Sequence, residues 1–336
     1  MRMSITWALA ALVLSGPVAA GTVSRAPQPA PPPPIVLRSG DRIVFLGGAF
    51  VEGEYRVGLI ETALTLAHPD KRLTFRNLGW SGDTVRGEAR AYFGEPAEGY
   101  KGLLASVAEA RPDVVLLAYG ANESFAGNEG LAPFLAQYER LLTDLASPGR
   151  RIVLLTPLPA DAATSPLPPA ALDARNQVLA RYAAAILSLA KTRRLASIDL
   201  FGAMRAAARP GGPPLFANGL DLTEAGYLAV ARHLALATNF SRRLEELDHD
   251  WLAGAASRRD PVHGQWTSIR ALIVQKNELF FHRWRPANVT YLYLFRQREQ
   301  GKNAVEVTRF DPLIAEKERA IAELAARLGR QSGGGQ

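Results

Sequence analysis

Arg42-Ile43-Val44-Phe45-Leu46-Gly47-Gly48-Ala49-Phe50 is a short apolar run that breaks at two glycines, the pattern of a buried strand running into a tight turn. Ligands of open α/β sheets bind in the crevice outside the carboxyl ends of the strands, so the turn from Gly47 to Phe50 is where chemistry is expected. Its side chains supply none. Gly48 has no side chain, Ala49 offers a methyl and Phe50 is apolar.

Outward from this run, short β-branched or leucine-rich stretches alternate with longer amphipathic ones. Strands are expected at Arg42 to Leu46, Leu73 to Asn77, Val114 to Ala118, Ile152 to Thr156 and Ala196 to Asp199. Helices are expected at Val57 to Ala67, Tyr100 to Ala110, Leu131 to Leu145, Ala170 to Lys191 and Thr223 to Phe240. A helix after every strand argues for an α/β chain with a parallel five-stranded sheet, because parallel neighbours need crossovers and right-handed crossovers cover both faces.

The chain of 336 residues is 48% hydrophobic, enough for a full core. Its formal charge of +7 comes with only 21% charged residues and no lysine-rich run. That balance describes a solvated arginine-rich surface, and no nucleic-acid partner is expected. Cysteine is absent, which excludes disulfides, thiolate metal sites, a cysteine nucleophile and a lipid-modified cysteine.

Met1 to Ala20 combines Arg2, an apolar stretch from Ile5 to Leu14 and Val18-Ala19-Ala20 before Gly21. This reads as a secretory signal too short to span a membrane, so the protein is expected to be exported, periplasmic or extracellular, with no transmembrane span in the mature chain. Residues 21–35 form a Pro-rich linker, 36–240 the α/β domain, and 241–330 a C-terminal extension before a flexible tail at 331–336. Within the extension, Ser241 to Asp260 reads as a connector, and Asp311 to Arg327 as an amphipathic helix. Leu279 to Arg296 interleaves aromatics with arginine. That stretch suits either a stacking surface for a sugar or single-stranded nucleic acid, or an appendage that packs its aromatics onto the domain under stacked arginines.

Four blocks fall at strand ends or at the start of the last helix. They are Gly47-Gly48-Ala49-Phe50 with Glu52-Gly53, Asn77-Leu78-Gly79-Trp80-Ser81-Gly82-Asp83-Thr84, Tyr119-Gly120-Ala121-Asn122-Glu123-Ser124, and Asn218-Gly219-Leu220-Asp221-Leu222-Thr223-Glu224-Ala225-Gly226-Tyr227. In order and spacing they resemble the SGNH (GDSL-type) hydrolase superfamily over roughly Arg42 to Phe240. The resemblance implies a three-layer flavodoxin-like fold and hydrolysis of esters, commonly acylated sugars, lipids or small esters. It also implies that Gly82 and Asn122 take the places of two oxyanion donors, with the Ala49 amide as a third.

The reactive positions differ. Ala49 stands where the family has its nucleophilic serine, Asn218 where it has the aspartate and Asp221 where it has the histidine. Serine acyl transfer needs a hydroxyl, a base and a carboxylate to orient that base. The sequence therefore points to a protein that has lost this mechanism and keeps the pocket to bind an ester or acylated carbohydrate. Two alternatives stay open: an active acylhydrolase in which Asp221 is a general base on water, and a cell-surface scaffold or interaction module. Ser81, Asp83, Glu123 and Ser124 are further pocket candidates, with Asp83 and Glu123 as carboxylates able to raise one another's pKa. No cofactor is implied, and the spacing of acidic residues and histidines implies no metal.

Overall fold

A computed structural model describes residues 33–209, 211–238 and 261–333, the side chains of 261–265 and 331–333 excepted. The expected signal, nearly all of the Pro-rich linker, the connector Ser241 to Asp260, Phe240 and the last residues of the tail lie outside the described residues.

Five parallel strands, β1 (Arg42–Gly47), β2 (Thr74–Asn77), β3 (Val114–Ala118), β4 (Arg151–Leu155) and β5 (Ala196–Ile198), stand in the order β2-β1-β3-β4-β5. The order reverses between β1 and β3, which makes their carboxyl ends the switch point of a flavodoxin-like sheet. Register is direct, with Phe45 opposite Leu116 and Leu46 opposite Leu117. Alternation along the strands then sorts the core. Ile43, Phe45, Val114 and Leu116 pack on one face, whereas Val44, Leu46, Val115 and Leu117 pack on the other. Both faces are buried at the central strands β1, β3 and β4, which read as continuous apolar runs, whereas the edge strands β2 and β5 alternate.

Helices α2 (Leu59–Ala67) and α7 (Glu224–Ala237) cover the first face, with α6 (Leu200–Ala207) at its edge; α3 (Pro96–Ala110), α4 (Leu131–Leu145) and α5 (Pro169–Arg193) cover the second. The sequence leads to a single helix starting at Val57. Instead α1 (Ala49–Val57) begins directly after Gly48, and Gly58 turns the chain into α2. Gly58 holds φ +68°, a left-handed conformation open to glycine at little cost. Gly58 brings no side chain to cap α2. The Glu54 carboxylate takes that part, accepting the amides of Ile60 and Glu61.

Two further long helices, α8 (Pro261–Trp284) and α9 (Phe310–Gly333), pack against each other and against the β2 side of the sheet. Ile269 and Ile273 of α8 meet Ile321, Ala325 and Leu328 of α9 around Leu66 of α2. The aromatic and arginine stretch lies at the end of α8 and beyond it. Phe281 stacks on Tyr55 with ring centroids 4.5 Å apart, and the Arg285 guanidinium lies 3.7 Å over the Trp80 ring. No described helix is long and apolar enough to cross a membrane.

Candidate functional site: a pocket at the carboxyl ends of β1, β3 and β4

The carboxyl ends of β1 and β3 are brought together by small residues. A side chain on Gly48 would begin 3.2 Å from the Asn122 Nδ2 and 3.7 Å from the Asp83 carbonyl. The first, second and third blocks therefore meet at one point. Gly79 fits beneath α1, where an added Cβ would stand 2.2 Å from the Glu52 amide, so the second block tolerates no side chain there. The fourth block closes the opposite wall through Tyr227, whose hydroxyl donates to the Phe50 carbonyl at 2.9 Å.

The result is a cavity of ≈ 180 Å³. Ala49, Asp83, Asn122, Glu123 and Asp221 all line it. Gly82, Ser81, Ser124 and Asn218 are not among its lining residues. Gly82 occupies the neighbouring turn at φ +80°. Ser81 is exposed, and its amide donates to Glu52. Ser124 is buried, with its hydroxyl donating to the Ala121 carbonyl at 2.6 Å. Asn218 holds Asp221 from outside: its Nδ2 donates to the Asp221 carboxylate at 2.9 Å, and its Oδ1 accepts the Asp221 amide at 2.8 Å.

Two of the three carboxylates are tied into the domain, Glu123 through both oxygens and Asp83 through one, its Oδ1 being buried without a hydrogen-bond partner. Asp83 accepts Arg90 Nε at 2.7 Å and the Tyr119 hydroxyl at 3.1 Å on one oxygen. Burial pushes its carboxyl up from the usual range, and Arg90 opposes that shift. Glu123 accepts the amides of Val85 and Gly120, both at 2.8 Å. Its carboxyl is also raised, first by burial and to a lesser degree by Asp83, against the lowering by those amides. Glu123 thus ties the second block to the third as a structural brace.

Hydroxyls on the pocket wall are equally committed. Thr156 donates to Asp199 at 3.1 Å and accepts the Phe201 amide, Tyr119 donates to Asp83, and Tyr227 to Phe50. Burial raises both tyrosines, making a phenolate harder to form. None of the histidines whose side chains are described, His68, His233 and His282, lines the cavity. Asn122 gives one amide hydrogen to the Asp83 carbonyl at 2.7 Å; the group carries two. The N-terminus of α1 opens on the same cavity at Gly48 to Phe50, and the first amides of a helix have no intrahelical acceptor.

Among the lining residues that lie outside the four blocks, one is charged. Arg175, on α5, reaches the cavity beside Leu179. Its guanidinium lies 4.0 Å over the Phe125 ring, and Nη2 donates to the Ala121 carbonyl at 3.0 Å. The following residue, Asn176, brackets Ala160 with hydrogen bonds to its amide and carbonyl, both 2.9 Å. In sequence this arginine sits mid-helix like any surface charge. The one available signal was its pairing with a polar asparagine on an otherwise alanine- and leucine-rich helix.

The structure is similar to that of BT4096, a gut microbial diltiazem-metabolizing enzyme, at a TM-score of 0.59 and 12% identity, covering 87% of this chain and 95% of that one. At that identity the likeness is one of fold. The coverage exceeds what residues 33–238 supply, so the shared fold extends into the C-terminal helices. Axe2, an acetylxylan esterase from Geobacillus stearothermophilus, matches with a TM-score of 0.47 and 18% identity over 62% of this chain and 98% of its own. None of the curated proteins compared with the chain matches it. Residues 51–229, more than half of the chain, match the profile of the GDSL-like lipase/acylhydrolase family, to which this protein belongs.

Proposed function

We propose that this GDSL-like family member is exported, does not hydrolyse esters by a serine mechanism, and uses its strand-end pocket to bind a small ester or acylated carbohydrate. The observation that carries this reading is the methyl of Ala49 at the mouth of α1, in a cavity whose lining hydroxyls are all engaged within the protein. A ligand carbonyl would be received by the second Asn122 hydrogen and the first amides of α1. These are donors that need no triad to operate.

Asp221 supports a second reading because it lines the pocket. There it would take a proton from a water molecule as the water oxygen attacks the ester carbonyl, giving carboxylic acid and alcohol. Asn218 donates to this carboxylate and so fixes its position at the pocket wall.

Turnover of short-chain and acetyl-sugar esters by the protein, beside its Asn122→Ala variant, separates the readings. The expected result is no turnover above that control, and no labelling of Ala49→Ser by a fluorophosphonate, since a new hydroxyl lacks a base. Turnover that falls about 10²- to 10³-fold in Asn122→Ala would overturn the binding reading. Loss of that same turnover in Asp221→Asn would then assign the water route.

A further inference from the structure

The arginine in the pocket has donors that nothing in the protein uses. Among the described residues Arg175 forms no ion pair, and its Nε is buried without a hydrogen-bond partner. Burial lowers its pKa, the sign of a charge held away from water. An unpaired, half-buried cation costs free energy that an anion on the remaining Nη1 and Nη2 hydrogens would offset. The guanidinium is also fixed in place, by the Phe125 ring beneath it and the Ala121 carbonyl at its tip. Ala121 directly precedes Asn122, so the cation and the amide donor are set by the same short loop.

We infer that Arg175 is the anion-recognising residue of the pocket, and that the ligand bears a single carboxylate on a small, largely apolar body. This rests on the reading of the cavity as a ligand site. A planar guanidinium matches a carboxylate through two parallel hydrogen bonds. Phosphate shares that chemistry, but three carboxylates, Asp83, Glu123 and Asp221, also line the cavity, and they repel a dianion more than a monoanion. Phe50, Leu158, Leu179 and Leu222 supply the apolar wall for the rest of the molecule. The cavity of ≈ 180 Å³ confines that body to the size of one ring.

Ligand-observed NMR titrations with benzoate, its neutral isostere benzamide and phenyl phosphate test this. Benzoate is expected to bind roughly tenfold or more tighter than benzamide, the scale of a charge-assisted hydrogen bond, and tighter than phenyl phosphate. Arg175→Gln should erase the gap and leave benzamide unchanged, and Arg175→Lys should keep part of it. Leu158→Trp, which fills the cavity, should abolish binding of all three. A benzoate preference that survives Arg175→Gln, equal loss of benzoate and benzamide in that variant, or preference for phenyl phosphate would overturn the carboxylate assignment while leaving the pocket as a ligand site. Binding indifferent to Leu158→Trp would overturn the ligand site as well.

Discussion

Burial strips Glu54 of water while the amides of Ile60 and Glu61 donate to one of its oxygens at 2.7 and 3.2 Å. The second oxygen is buried without a partner. Desolvation dominates, with Glu61 adding to it and the amides and Arg270 opposing it, and the carboxyl is raised to about 8. A carboxyl raised in the folded state contributes stability that is fully present below its unfolded pKa, about 4.5, and lost as pH rises through 8. Over that window the protein should lose up to about 1.4 kcal/mol per pH unit from this group. Glu54→Gln keeps an acceptor for the two amides and cannot ionise. Urea unfolding at pH 5, 6.5 and 8 should show the variant gaining on the wild-type protein as pH rises. Parallel pH profiles for the two proteins would show that Glu54 does not carry the shift.

At the scale of elements, β2 is an edge strand whose outer side is covered by α8 and α9. The contact is partly ionic and deep. Lys276 Nζ lies 2.8 Å from the Glu61 carboxylate of α2 and 3.3 Å from the Phe75 carbonyl of β2, and both side chains are buried. Burial pushes Glu61 up and Lys276 down, each toward its neutral form, so the pair only partly offsets its own desolvation. Removing one partner strands the other. Lys276→Met should cost about 3–5 kcal/mol in chemical unfolding, and adding Glu61→Leu should recover most of it. If the single variant unfolds like the wild-type protein, the pair contributes nothing. The sheet itself was legible because its central strands, buried on both faces, leave unbroken apolar runs, and the family blocks fall at strand ends. The helix at Ala49 was not, because Gly48, Gly53 and Gly58 punctuate that segment like a loop. Its α-helical state depends on Glu54, which caps the next helix across Gly58. Nor was Arg175, since its role comes from the ring and carbonyl that α5 packs against and from nothing in its neighbours along the chain.

For the whole molecule, the C-terminal helices join the sheet domain in one contiguous core. Phe280 of α8 and Ile314 of α9 belong to the cluster built on Val44, Leu46 and Leu117. Trp80, from the second block, is clasped by Arg285 from beyond α8 and by Arg90, 5.5 Å away, with Trp284 set edge-on to it at 5.7 Å. Arg285 also holds Glu52 of α1 at 2.9 Å, and Glu52 takes the Ser81 amide. The extension thus grips α1 and the second block, the segments that shape one side of the pocket, although none of its described residues lines that pocket. A chain ending after Thr238 would expose Leu66, take from Glu61 its lysine, and release Glu52 and Trp80. Expressed beside the intact protein, it should unfold at a markedly lower temperature or collect as aggregate, and bind a one-ring carboxylate weakly or not at all. A truncated chain that keeps the intact melting temperature and loses only a macromolecular partner would instead make the extension an independent docking module. The intermediate case is informative too. Arg285→Ala spares the α8–α9 core and should weaken ligand binding with little change in melting temperature, because it loosens only the clasp that links the extension to α1.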